Sequence, residues 1–151
     1  MCIRDRARKI TRFDDAKYAR LAKDPKQVLE EFESYLYNED YIIVGQNLLG
    51  FDVYIHGIFR KLLGIKPNYS YVKRIYDTNC VAKAIKKNMQ PADKKDFIYW
   101  EYKLNDFRQK NMRTSIKAQL KQYKIDFDEN KLHDSIYDLS LIHISEPTRP
   151  Y

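Results

Sequence analysis

Two short stretches of the chain bring together residue types that could serve hydrolysis. In VGQNLLGFD, Val44 to Asp52, an apolar run ends at Gly45, an amide follows at Asn47, and a carboxylate stands at Asp52. This places a carboxylate near the C-terminal end of a strand, where α/β folds build their sites. In LHDSIYD, Leu132 to Asp138, the imidazole of His133 and the carboxylate of Asp138 are separated by slightly more than one helical turn, so both can border one cleft. There a carboxylate can hold a cation while an imidazole takes a proton from the attacking water. Each stretch also has a plain structural reading. Asn47 can satisfy a turn, Asp52 can favour a helix N-terminus through the dipole, and His133 can be a surface residue at a helix start. Taken singly, the motifs favour those readings.

The elements needed to position these residues are legible in outline. Residues 7–24 are charged and without pattern, with a turn expected at Asp24-Pro25. From Pro25, suited to a first helical turn, Val28, Leu29, Phe32 and Leu36 share one helical face. Tyr41 to Val44 reads as a buried strand. A helix from Asp52 to Leu63 is expected to turn Ile55, Ile58, Phe59 and Leu62 to the core and to stop at Gly64. Tyr71 to Tyr76 is a weaker strand, and Asp77-Thr78 can cap a helix through Lys87, with Cys80 in its core. His56 reads as an incidental polar position. Residues 88–111, charged and aromatic with the sole Trp100, give no clear element. Thr114 can cap a helix carrying Ile116, Leu120 and Tyr123, and a short helix around Leu132 to Asp138 closes the chain. Strands alternating with helices indicate an α/β fold with parallel pairing.

At 151 residues the chain is about one domain long. Two cysteines are too few for a disulfide framework, which points to a reducing, cytoplasmic setting. No apolar run approaches the roughly 18 residues of a membrane span, so no membrane partner is expected. The net charge of +7 favours an anionic partner, nucleic acid being the commonest, and thirteen Tyr with seven Phe suit a surface that stacks bases.

The ends read differently from the interior. Leu139 to Arg149, LSLIHISEPTR, resembles the direct translation of a transposase sequencing adapter. Met1 to Asp5, MCIRD, resembles the opposite strand of the same element, and its remaining bases can begin the codon of Arg6. Residues 1–6 and 139–151 are therefore expected to be adapter-derived tails around a partial domain of residues 7–138. The tails carry Arg4, Arg6 and Arg149 against Asp5 and Glu146, so the basic balance survives their removal.

In order and spacing, the interior resembles the DEDDh 3′–5′ exonuclease superfamily, which includes the proofreading epsilon subunit of bacterial DNA polymerase III and ribonuclease T. Asn47, Phe51 and Asp52 match its second motif, Ile75-Tyr76-Asp77-Thr78 the following strand that ends in Asp-Thr, and Tyr123-Lys124-Ile125-Asp126 a connection. His133, Asp134, Ser135 and Asp138 match its third motif. The resemblance covers about residues 26–138. The family's first motif, an Asp-x-Glu on an N-terminal strand, has no counterpart, which reads as truncation of the gene at the adapter.

The resemblance implies a ribonuclease H-like exonuclease fold, incomplete for want of its N-terminal strands. It implies catalytic roles for Asp52, His133 and Asp138. Asp138 and Asp52 would hold two divalent cations, Mg2+ or Mn2+, His133 would be the general base, and Asn47 would contact the substrate strand. The implied partners are single-stranded DNA or RNA 3′ ends and, if the domain proofreads, a DNA polymerase. The chain as it stands is expected to be inactive. Two alternatives remain: a non-catalytic nucleic-acid-binding or scaffolding module with a degenerate nuclease fold, and an unrelated basic α/β interaction domain.

Overall fold

The computed structural model describes residues 8, 11, 13–90, 97–132 and 135–145. Helix α1 (Asp15–Leu21) is capped by Asp14, whose side chain accepts from the Lys17 N–H, and buries no residue. Helix α2 (Pro25–Leu36) begins under Asp24, which accepts from the N–H groups of Lys26 and Gln27, with Pro25 in the first turn where its missing N–H costs nothing. Strand β1 (Ile43–Gly45) pairs in parallel with β2 (Ile75–Asp77), Ile43 opposite Ile75 and Gly45 opposite Asp77. Between them runs α3 (Asp52–Leu62) and a 3-10 turn, Ser70–Arg74. After β2 come α4 (Thr78–Lys87), α5 (Phe97–Asp106), α6 (Ile116–Tyr123) and α7 (Ser135–Ser145). The architecture is mixed α/β. Helix α4 packs on α5, and α6 on α7.

The core lies between β1, β2 and the helices, and includes Leu36, Leu49, Val53, Ile75, Cys80 and Leu104. Burial pushes the Cys80 thiol up to about 12, so it stays a neutral core group. At the end of α3, Gly64 adopts φ +73°. Its N–H reaches the Lys61 carbonyl while Ile65 N–H reaches that of Arg60, the paired bonds of a Schellman stop.

Three sequence expectations need correction. Helix α3 buries Val53, His56 and Gly57, whereas Ile55, Ile58 and Leu62 are exposed. The polar face wins because it is paired: His56 Nε2 lies 2.8 Å from Glu33 Oε1 on α2, and His56 Nδ1 lies 2.9 Å from the Tyr71 hydroxyl. Arg60 also binds Glu33. An ionised Glu33 can only accept, so Nε2 carries a proton and Nδ1 of a neutral ring accepts from Tyr71. Burial alone would raise the Glu33 carboxyl, but the hydrogen bonds from Arg60 and His56 outweigh it and hold its pKa below the ordinary glutamate value. His56 is thus a buried bridge between two helices. On α2, Leu29 and Leu36 are buried, but Val28 and Phe32 are exposed. The cap of α6 is Ser115, which accepts from Ala118 N–H, and not Thr114, whose hydroxyl is committed to Asn79.

The C-terminal string carries on the last helix past Asp138. Helix α7 continues through Leu139 to Ser145, and Leu141 is 2% exposed. Apolar residues following Ser135 at helical spacing prolong the helix whatever their origin, and packing alone says nothing of that origin. Leu141→Ala is therefore expected to cost roughly 2–4 kcal/mol, read as a lower denaturation midpoint in urea. A midpoint unchanged from the parent protein would place Leu141 outside the cooperative unit.

Candidate functional site

The centre of the candidate site is the turn from β1 to α3. Asn47 sits there at φ 63°, a left-handed conformation that asparagine tolerates better than most residues. Asp77, at the end of β2 and fully buried, fixes this turn. Its Oδ1 accepts from the N–H groups of Asn47 at 2.8 Å and Asn79 at 2.9 Å, and its Oδ2 from Leu49 N–H at 3.0 Å. One carboxylate thus caps α4 and holds the loop that leads to Asp52. Gly50 completes the turn, because a Cβ there would lie 2.5 Å from Asn47 Oδ1.

Side-chain amides and hydroxyls extend this anchor. Asn79 donates to Asn47 Oδ1 at 3.2 Å and accepts from the Thr114 hydroxyl at 2.6 Å. Gln46 Oε1 accepts from Thr78 at 2.6 Å and from Gln119 at 3.3 Å, and Gln46 Nε2 donates to the Thr114 carbonyl. The network ties β1, the start of α4 and the start of α6 together.

Beside it opens a cleft of about 580 Å3 lined by Gln46, Asn47, Asn79, Ile116, Leu132 and Asp138, among others. The structure therefore brings Asn47 and Asp138, far apart in sequence, to one cleft. Asp52, the first residue of α3, is exposed and does not line that cleft. Packing around its carboxyl, and less strongly the nearby charge of Asp77, push its pKa above the ordinary aspartate value. His133 lies outside the described residues, as does Asp134. Among the described residues, no three His, Cys, Asp or Glu side chains gather closely enough to hold a metal ion. The oxygen donors of Asp52 and Asp138 suit magnesium or manganese in kind, but by themselves they do not make a two-cation site.

Sequence reading missed Glu101, a fully buried carboxyl on α5. Its Oε1 accepts from Asp77 N–H at 2.7 Å, while its Oε2 has no partner. Burial, and to a lesser degree the charge of Asp77, push its pKa up to about 7. The folded state thus keeps a proton that the unfolded chain releases near pH 4.5, so Glu101 lowers stability progressively from about pH 4.5 to about pH 7 and no further above that. Glu101→Gln keeps the acceptor for Asp77 and should remove this loss, raising stability at pH 8 by about 3 kcal/mol relative to that at pH 4. The check is urea denaturation of both proteins across that range. Parallel pH profiles would show that Glu101 is ionised in the folded protein.

No family model, curated protein or solved structure matches the chain. Among the described residues, no helix is long and apolar enough to cross a membrane.

Proposed function

We propose that the chain is the C-terminal part of a two-metal-ion 3′–5′ exonuclease with a ribonuclease H-like fold, acting on single-stranded DNA or RNA ends. The observation that carries this reading is the meeting of Asn47 and Asp138 in one cleft at the C-terminal end of a parallel strand, in the motif order of the DEDDh enzymes. The parallel pairing of β1 with β2 and the Asp77-Thr78 start of α4 support it further.

Asp138 and Asp52 would hold Mg2+ or Mn2+ together with the carboxylates of an Asp-x-Glu strand. Bound cations would supply charge neutralisation at the phosphate. His133 would accept the proton of the attacking water, and Asn47 would contact the strand. A sheet edge is available for the additional strand. Among the described residues β1 pairs only with β2, and Ile42 and Val44 are 74% and 40% exposed. Parallel strands are normally covered on both faces.

The chain by itself is expected not to cut, because the family's Asp-x-Glu strand has no counterpart in it. Incubation with an end-labelled single strand and magnesium should give no trimming. Chelator-sensitive shortening from the 3′ end by the chain alone would overturn the account of the incomplete site.

A further inference from the structure

A second cleft, of about 510 Å3, lies on the other side of the Asn47–Asn79 pair, which lines both. Its remaining wall includes Lys83, Phe107, Arg108 and Lys110, and no carboxylate lines it among the described residues. Lys83 is only 6% exposed. Its ammonium donates to the carbonyls of Leu104 at 2.8 Å and Asn105 at 3.0 Å, which uses two of three protons. Arg108 gives one terminal nitrogen to the carbonyls of Asn105 and Phe107. Burial, then the charge of Arg108, pull the Lys83 pKa below the ordinary lysine value, so the two cations strain against each other. The charges of Asp77 and Asp106 offset this only in part, and Asp77 is already spent on backbone N–H groups. A bound anion would relieve the repulsion and use the donors left over. The guanidinium fork of arginine suits phosphate oxygens in particular. The half-buried ring of Phe107 on the same wall offers a flat apolar face to a base.

We infer that this cleft holds a phosphate of a single nucleic-acid strand, with Lys83, Arg108 and Lys110 around the phosphate and Phe107 against an adjoining base. The strand would then pass over the Asn47–Asn79 pair towards Asp138. The direction of the strand rests on the nuclease reading; the binding does not, because it requires no catalysis.

The test uses the full chain, a fluorescein-labelled ten-nucleotide oligothymidylate and its oligouridylate counterpart, and anisotropy over a range of salt. Lys110 is exposed and its side chain makes no hydrogen bond or ion pair among the described residues, so Lys110→Glu should fold normally, checked by melting with Trp100 fluorescence. It should weaken strand binding by about tenfold and lower the salt slope by about 0.7. Arg108→Ala should do likewise, and Lys66→Glu, which lines neither cleft, should change affinity much less. Equal affinities for the Lys110→Glu and Lys66→Glu proteins would overturn the inference. So would binding of inorganic phosphate or thymidine monophosphate with no affinity for either strand. If the strand binds here but a longer protein restored with its upstream strand cuts nothing, this inference stands and the nuclease reading falls.

Discussion

On the proposed nuclease reading, supplying the chain with an upstream strand that carries Asp-x-Glu should yield a magnesium- or manganese-dependent 3′–5′ exonuclease. In that longer protein, His133→Ala should remove on the order of 10²–10⁴-fold of the rate, the range general-base catalysis commonly contributes. On that reading, Asp52 at the start of α3 and Asp138 in the first turn of α7 would share two cations with the Asp-x-Glu carboxylates. A strand beside β1 would bring two more carboxylates to the same sheet end. It would also pair an edge that otherwise invites aggregation. The restored protein should therefore gain solubility and stability along with activity. An imidazole base further predicts a rate that rises through neutral pH and then levels, with the rise missing in His133→Ala. The decisive comparison is 3′ trimming of a labelled strand by the chain, the restored protein and its His133→Ala variant, each with and without chelator. A restored protein that folds, binds metal and leaves the strand intact would end the nuclease proposal.

What the sequence revealed and what it hid follow from the kind of signal each element gives. Helices α2 and α4 announced themselves by caps, Asp24-Pro25 and Asp77-Thr78, which act within a few residues and need no tertiary partner. Strand β1 was visible as a short β-branched run, but it covers Ile43–Gly45 and is not the buried strand expected over Tyr41 to Val44, since Tyr41, Ile42 and Val44 are exposed. The inward face of α3 was not, because Ile55, Ile58 and Leu62 form as good a helical stripe as Val53, His56 and Gly57. The choice is made by Glu33 and Tyr71, which lie on other elements. Helix α5 was hidden for a related reason. Glu101 occupies a fully buried position where an apolar residue would have completed the stripe with Leu104. At the site, Asn47 and Asp138 were found by motif. Gln46, Asn79 and Thr114 were not, since amides and hydroxyls are common on surfaces and become informative only when they meet.

Asp77→Ala should be the most damaging single substitution in the described part of the chain. Two carboxylate oxygens serve three backbone N–H groups, from Asn47, Leu49 and Asn79, at a site with no solvent exposure. Removing the acceptor leaves those donors unpaired in the interior, at about 1–3 kcal/mol each. The sum, roughly 3–9 kcal/mol, is comparable with the whole stability of many domains of this size. Asp77→Asn separates the contributions. Its carbonyl oxygen can take the place of Oδ1 and keep the Asn47 and Asn79 bonds, while its NH2 must face the Leu49 N–H, so an intermediate cost is expected. The neutral amide also removes the negative charge that helps raise both Asp52 and Glu101, so both carboxyls should titrate lower than in the parent protein. That second readout matters because a purely structural role would not predict it. Urea denaturation followed by Trp100 fluorescence gives the stabilities, and NMR titration of the side-chain carboxyl carbons gives the pKa values. An Asp77→Ala protein within about 1 kcal/mol of the parent would mean that water or other groups satisfy the turn. The carboxylate would then not be what holds Asn47 and the start of α3 in place beside the cleft.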